Sequence, residues 1–122
     1  MAGLLTLAPS RALAATVHGV VANITGLYAV DVARIETPTT TGRVADIVRS
    51  WPGKVAVGGG RFSMGGQVAV AGGLHVDMRA LRNVVWLRPA DRAVRVQAGI
   101  SWRDLQALID PLDLAVKTRQ TY

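Results

Sequence analysis

Apolar and polar positions in the middle of the chain alternate in a way that predicts a strand, a helix and a second strand. Residues 32–37 form a short apolar-rich run that the next residue, a proline, stops because proline has no N–H for a sheet ladder. Val44, Ile47 and Val48 then recur at helical spacing, after three threonines that offer hydroxyls for capping. Residues 54–57 are a second strand. Two strands joined by a helix of this length are expected to be parallel, with a right-handed crossover.

The second half of the chain predicts a further strand, a hairpin and a helix. Residues 74–78 alternate as a strand does, and residues 84–88 and 93–98 are two arms around a turn at 89–92. Ser101 stands three residues before a carboxylate, as in a capping box. The apolar stripe of the helix that follows comprises Trp102, Leu105, Leu108, Ile109 and Leu112. The pattern therefore predicts an α/β (α+β) fold, a small parallel β-α-β unit followed by a β-hairpin and a helix.

Residues 1–29 lack this regularity and are interpreted as an apolar leader or an unstructured N-terminus. No basic residue precedes the apolar run, and Pro9 and Arg11 interrupt it, so it makes a poor signal peptide and no stable membrane span. A cytoplasmic location is the default expectation. Asn23-Ile24-Thr25 matches the glycosylation acceptor pattern, although so short a pattern often occurs by chance.

The glycine-rich loop at residues 58–66 is the most distinctive local sequence. It has five glycines and one serine in nine residues and directly follows the second predicted strand. Glycine tolerates positive φ, so successive amides of such a loop can turn inward around a phosphate. The loop lacks the lysine and hydroxyl of a Walker loop, and Ser63 takes the last glycine position of a Rossmann fingerprint. Taken alone, it is explained equally well as a glycine-rich turn without a ligand.

Composition narrows the range of sites. The chain has 122 residues, enough for one small domain, and no cysteine, which excludes disulfides, thiolate metal sites and cysteine-linked flavin within it. His18 and His75 are its two histidines and lie far apart in sequence, so we expect no metal site. The net charge of +6 invites a nucleic-acid hypothesis. Because the arginines are scattered among acidic residues and lack an aromatic stacking platform, we expect no nucleic-acid partner.

Four segments in order resemble the first part of the FAD-binding domain of the vanillyl-alcohol-oxidase family, also called the PCMH-type FAD-binding fold. They are a strand ending in proline at 33–38, the glycine loop, the stretch at 73–84, and a strand-glycine-helix unit at 94–105. Together they are far more specific than the loop alone. The resemblance places the first part of such a domain at residues 30–122.

The resemblance implies that the glycine loop wraps the FAD pyrophosphate. Its contacts would be the amides of Gly59, Gly60, Arg61, Phe62 and Ser63 and the Ser63 hydroxyl, with Gly58 and Gly65 permitting the turn. Met64 and Gln67 are candidate flavin neighbours that could equally support the loop. Arg61 stands where many members carry a histidine linked to the flavin, so non-covalent FAD is expected. Its guanidinium would either offset pyrophosphate charge or point to solvent, with only its backbone used.

Members of this family continue beyond the equivalent of residues 117–122 into a second glycine motif and a substrate-binding domain. Gln120 and Thr121 stand where the second set of cofactor contacts would begin. The implied function is FAD binding as part of a flavin-dependent oxidoreductase acting on an alcohol, sugar or sugar lactone. The small-molecule substrate and the catalytic base would then depend on sequence outside this chain. The alternative is a non-catalytic fragment or a subunit that needs a second chain to complete the flavin site, so enzymatic activity and oligomeric state stay open.

Two other residues could have either a functional or a purely structural role. Trp102 could stack on a flavin, but its position on the apolar stripe favours core packing. Asp77 could serve as a base, but its place after an apolar strand favours ending that strand and ordering a turn.

Overall fold

The computed structural model describes residues 18–118, which form an α+β fold with two α-helices. In chain order its elements are β1 (Gly19–Ala22), β2 (Ala29–Val32), β3 (Arg34–Glu36), α1 (Thr41–Ser50), β4 (Val55–Gly58), β5 (Leu74–Asp77), β6 (Val84–Arg88), β7 (Ala93–Val96) and α2 (Trp102–Ile109). Short 3-10 helices lie at Gly66–Val68, Met78–Ala80 and Asp110–Leu112. This confirms the mixed fold class. In the described part of the chain, no helix is both long and apolar enough to cross a membrane.

A three-stranded parallel sheet in the order β3-β5-β4 lies at the centre. The predicted β-α-β unit is present as β3-α1-β4, with β5 inserted between its two strands. His75 pairs with Ile35 on one side and with Ala56 on the other. The first predicted strand, at 32–37, is divided in the structure, because Val32 pairs with Gly19 in a separate antiparallel ladder.

Helix α1 covers one face of this sheet. It starts as predicted, because the Thr40 hydroxyl accepts a hydrogen bond from the Arg43 amide at 3.1 Å. Ile47 is its buried residue and packs against Leu74 and Val76 of β5. Val48, which the periodicity assigned to the same face, is exposed, so the buried stripe of this helix is narrower than predicted.

The hairpin β1–β2 contributes to the core of the opposite face. Val21 is fully buried and packs with Val32 and Val68. The expectation of a leader or unstructured N-terminus is therefore wrong for β1, because its strand pairs with β2 and its central valine fills the core. Residues 1–17 lie outside the described part, and for them the expectation of a leader or unstructured N-terminus stays a prediction.

The predicted hairpin β6–β7 is confirmed, with an irregularity between Val84 and Trp86. Its chain then turns at Gly99, where an added Cβ would overlap the carbonyl oxygen of Met78. Helix α2 follows, and the Ser101 hydroxyl accepts a hydrogen bond from the Asp104 amide at 3.0 Å, as the capping pattern predicted.

Helix α2 and the turn after it bury fewer residues of the apolar stripe than predicted. Leu105 and Ile109 are buried, while Trp102, Leu108 and Leu112 are exposed. Core packing of Trp102 was therefore the wrong expectation. Period alone identifies the residues that share a face, but the part of that face that is covered depends on the elements packed against it.

Candidate functional site

The glycine loop begins at the carboxyl edge of the parallel sheet. Gly58 is the last residue of β4 and pairs with Asp77, the last residue of β5. Open α/β sheets usually bind ligands at this edge, because loops leaving adjacent strands diverge there and form a crevice. The position predicted for the loop from the order of strands is therefore confirmed.

The floor of the loop is the polar face of β5. Leu74 and Val76 face α1, so the alternation of a strand directs His75 and Asp77 to the other face. A Cβ on Gly58 would come within 2.6 Å of Cε1 of His75, which shows how closely the loop's first residue lies on that ring. Gly58 is thus required by packing against the imidazole.

His75 is an unusual residue for such a floor. It is fully buried, and neither ring nitrogen has a hydrogen-bond partner in the described structure. Burial lowers the pKa of His75, and the nearby charge of Arg61 lowers it further, against a smaller opposing effect of the Asp77 charge. The imidazole is therefore favoured in its neutral form.

Arg61 is anchored inside the fold. Its Nη2 donates to Oδ2 of Asp77 at 3.1 Å, and its Nε is buried without a partner. Arg79 also binds the Asp77 carboxylate, with Nη2 at 2.6 Å from Oδ2. The hydrogen bond from Arg79 is the main reason that the pKa of Asp77 is lowered. The alternative in which the Arg61 guanidinium points to solvent is therefore wrong.

Asp77 takes the structural role that the sequence favoured. It ends β5, and its Oδ1 accepts the Arg79 backbone N–H at 3.1 Å, which caps the 3-10 helix that begins at Met78. A carboxylate bound by two guanidiniums and an amide in this way is a poor base, because all these partners stabilise its charged form.

Two glycines of the loop are explained by their neighbours. A Cβ on Gly60 would come within 2.7 Å of the Phe62 ring, and one on Gly65 within 2.5 Å of the Gln67 side chain. The Gln67 side chain therefore lies against the loop backbone at Gly65. The Met64 side chain is largely exposed at 70%.

The other two glycines, Gly59 and Gly66, have open space where a side chain would lie, with no atom within 4 Å of an added Cβ. Neither has a positive φ. Between residues 58 and 66 the positive φ falls instead on Arg61, at 62°. The prediction that glycines of the loop use left-handed backbone is therefore wrong, and the fold itself gives no reason for glycine at 59 and 66.

Asn23 is a site residue that sequence reasoning missed. It is 5% exposed, and its Nδ2 donates to the carbonyl oxygens of Ser63 at 3.3 Å and Met64 at 2.7 Å. The Ile24 amide donates to the Arg61 carbonyl at 2.9 Å. The glycosylation interpretation is wrong for this fold, because the acceptor nitrogen is buried and engaged. An asparagine inside a supposed leader carried no signal of this role.

The structure brings most of the predicted site together. Residues 58–67 run from the end of β4 into the 3-10 helix at Gly66–Val68, whereas Gln120 and Thr121 lie outside the described residues. Among residues 18–118, no three side chains of histidine, aspartate or glutamate gather as metal ligands would.

A glycine loop at the carboxyl edge of a parallel sheet, beside the partly buried guanidinium of Arg61, is an arrangement typical of nucleotide-binding proteins. The FAD binding domain family model matches residues 32–119, more than half of the chain. The chain therefore belongs to the FAD-binding domain family, and the resemblance seen in the sequence is confirmed. No curated protein matches the chain.

The match contains the glycine loop, His75 and Asp77, but it begins after Asn23. The residues that hold the loop from the hairpin β1–β2 thus lie outside the part of the chain that the family model describes.

Proposed function

We propose that the loop at residues 58–66 holds the pyrophosphate of FAD through its backbone, without a covalent link, in a PCMH-type fold. The chain would then be the flavin-binding part of an oxidoreductase acting on an alcohol, sugar or sugar lactone. Family membership supports flavin binding. The substrate class, the attachment and the role of the loop are parts of the proposal, and no catalytic residue is assigned.

The observation that carries the proposal is the open space at Gly59 and Gly66. An Ala would fit at either position without a clash and without a left-handed backbone. Glycine in such a position is explained when another molecule approaches the backbone closely, because a Cβ would occupy the space that the ligand needs.

Electrostatics at the floor of the loop also support an anion. Arg61 and Arg79 share the single carboxylate of Asp77, so this cluster retains one net positive charge. Because Arg61 is only about one-fifth exposed, its charge is less screened than that of a surface arginine. Arg61 would favour the pyrophosphate from beneath the loop while its guanidinium remains bound to Asp77.

The residues proposed to hold FAD are the amides of 59–63, the Ser63 hydroxyl, and the neighbours Met64 and Gln67. Bound FAD would supply the hydride-accepting chemistry of an oxidoreductase, while this chain binds and orients it. Arg61 has no nucleophilic imidazole with which to form the histidyl-flavin bond, so attachment is non-covalent.

A second candidate keeps the same loop but makes its affinity depend on another chain. The exposed apolar residues Trp102 and Leu108 of α2 and Leu112 of the 3-10 helix that follows favour it, because apolar surface in contact with water is a feature of docking faces. A folded chain that binds FAD only when a partner chain is supplied would favour this version.

The test is an FAD titration followed by tryptophan quenching and by the visible flavin spectrum after desalting. Gly59→Ala is expected to weaken binding about tenfold or more, since its methyl group displaces the ligand from amides that make charge-assisted hydrogen bonds. Gly42→Ala is the matched control, because Gly42 also has open space but lies on α1. ADP should compete with FAD, whereas riboflavin, which lacks the pyrophosphate, should compete poorly.

Acid precipitation of the loaded protein completes the same experiment, and non-covalent flavin should stay in the supernatant. Equal affinities of the Gly59→Ala variant and the parent, or riboflavin competing better than ADP, would contradict the assignment of the loop. Flavin that precipitates with the polypeptide would contradict the non-covalent assignment.

A further inference from the structure

The turn of the hairpin β1–β2 is connected to the glycine loop by three hydrogen bonds. Two come from the Asn23 side chain, to the carbonyls of Ser63 and Met64, and one from the Ile24 amide to the carbonyl of Arg61. Two consecutive residues of the hairpin thus bind three carbonyls within four residues of the loop.

These bonds determine which way the loop's peptides face. In a trans peptide the N–H points opposite to the preceding C=O, and the described chain has no cis peptide. With the carbonyls of Ser63 and Met64 turned toward Asn23, the amides of Met64 and Gly65 are directed away from the hairpin. These two amides directly follow the proposed donors at 59–63 and would extend that set. An anion on that outer side would therefore meet N–H groups instead of carbonyl oxygens.

Asn23 is itself held in place for this donation. Its Oδ1 accepts the Thr25 hydroxyl at 2.8 Å, so the amide group is oriented with its nitrogen toward the loop. Thr25 in turn accepts the Leu27 amide at 3.2 Å, which fixes the turn between the two strands. Because Asn23 is 5% exposed, water competes little for its donors.

We infer that Asn23 is a positioning residue for the anion site, and that the hairpin β1–β2 is part of the functional unit although the family match starts after it. The inference rests on the proposed function of the loop. Asn23 acts through the carbonyls of Ser63 and Met64, whose orientation sets the direction of the Met64 and Gly65 amides.

The experiment compares Asn23→Ala and Asn23→Asp with the parent and with Asn83→Ala, an exposed asparagine on the segment before β6. Asn23→Ala is expected to raise the FAD dissociation constant about tenfold, and Asn83→Ala to leave it unchanged. Asn23→Asp keeps the shape but places a carboxylate oxygen against two carbonyls, so it should bind FAD more weakly than Asn23→Ala. A residue that merely filled space would give the opposite order.

Hydrogen exchange of the cofactor-free chain supplies a readout that does not depend on FAD. The Ile24 amide should exchange faster in Asn23→Ala, while the β1–β2 ladder amides keep their protection, which shows that the hairpin is still folded. If the aspartate variant loses the ladder, the alanine variant alone decides the outcome.

The two failures are distinguishable. A parent that does not bind FAD contradicts the proposed function, and the exchange of Ile24 then still decides whether Asn23 holds the loop. Unchanged Ile24 exchange and an unchanged dissociation constant in Asn23→Ala would overturn the inference.

Discussion

At the residue scale, the polar face of β5 contains a fully buried histidine beside an arginine-bound aspartate. Protonating His75 would place a second positive charge next to Arg61, and the carboxylate of Asp77 is already shared with Arg79. The neutral imidazole is therefore part of the folded state, and the stability of the protein becomes linked to pH at this residue.

We expect the free energy of unfolding to fall as the pH drops below about 6.5, the ordinary pKa of histidine. In that range the unfolded chain takes up a proton on His75 and the folded chain does not, because its pKa is lowered. The slope is at most about 1.4 kcal/mol per pH unit for one proton. Urea unfolding between pH 5 and pH 8 measures the slope. Asp77 does not interfere, because its lowered pKa stabilises the fold throughout this range and that contribution is lost only below about pH 5.

His75→Gln is the control, since it removes the titrating group from the same site. Its stability should be lower at every pH in this range, but the loss between pH 6.5 and pH 5 should disappear. The same loss in the variant and the parent would assign the effect to another group.

At the scale of elements, the sequence predicted the central β-α-β unit, the third strand and the hairpin β6–β7. These depend on local signals, namely period, proline stops and the hydroxyl caps at Thr40 and Ser101, which act within a few residues. Wrong expectations arose where the answer depends on a distant neighbour. One example is the apolar stripe of α2, which is only partly covered. Another is the Arg61 side chain, whose partner Asp77 is sixteen residues away in sequence.

Gly99 follows the hairpin β6–β7 and packs closely against the backbone of the 3-10 helix that comes after β5. Its amide donates to the Leu81 carbonyl at 2.7 Å, and an added Cβ would overlap the Met78 carbonyl and lie 2.9 Å from that of Leu81. Gly99→Ala should therefore lower the free energy of unfolding by roughly 1–3 kcal/mol, because backbone oxygens cannot rotate aside as a side chain can. The measurement is urea unfolding of this variant and of the control Gly42→Ala, where the added methyl group meets open space. Equal stability of the two variants would contradict the tight packing at Gly99.

At the scale of the whole molecule, the central sheet has a helix on one face and an antiparallel hairpin with a 3-10 helix on the other. The first core cluster contains Ile47, Leu74 and Val76, and the second contains Val21, Val32 and Val68. The family match includes all of the first cluster but not Val21. Sequence periodicity could not assign β1, because four residues with one buried side chain give too short a pattern.

The neighbouring valines of β1 test whether this hairpin belongs to the cooperative fold. Val21 is fully buried and Val20 is 59% exposed, so the same substitution can be compared at adjacent positions. Val21→Ala should lower the free energy of unfolding by roughly 1–3 kcal/mol through lost burial and a cavity, whereas Val20→Ala should change it by less than about 0.5 kcal/mol. Thermal and urea unfolding of both variants measure the difference. A leader that does not pack on the domain would make the two variants equal to the parent, and the β1–β2 turn could then not hold the glycine loop.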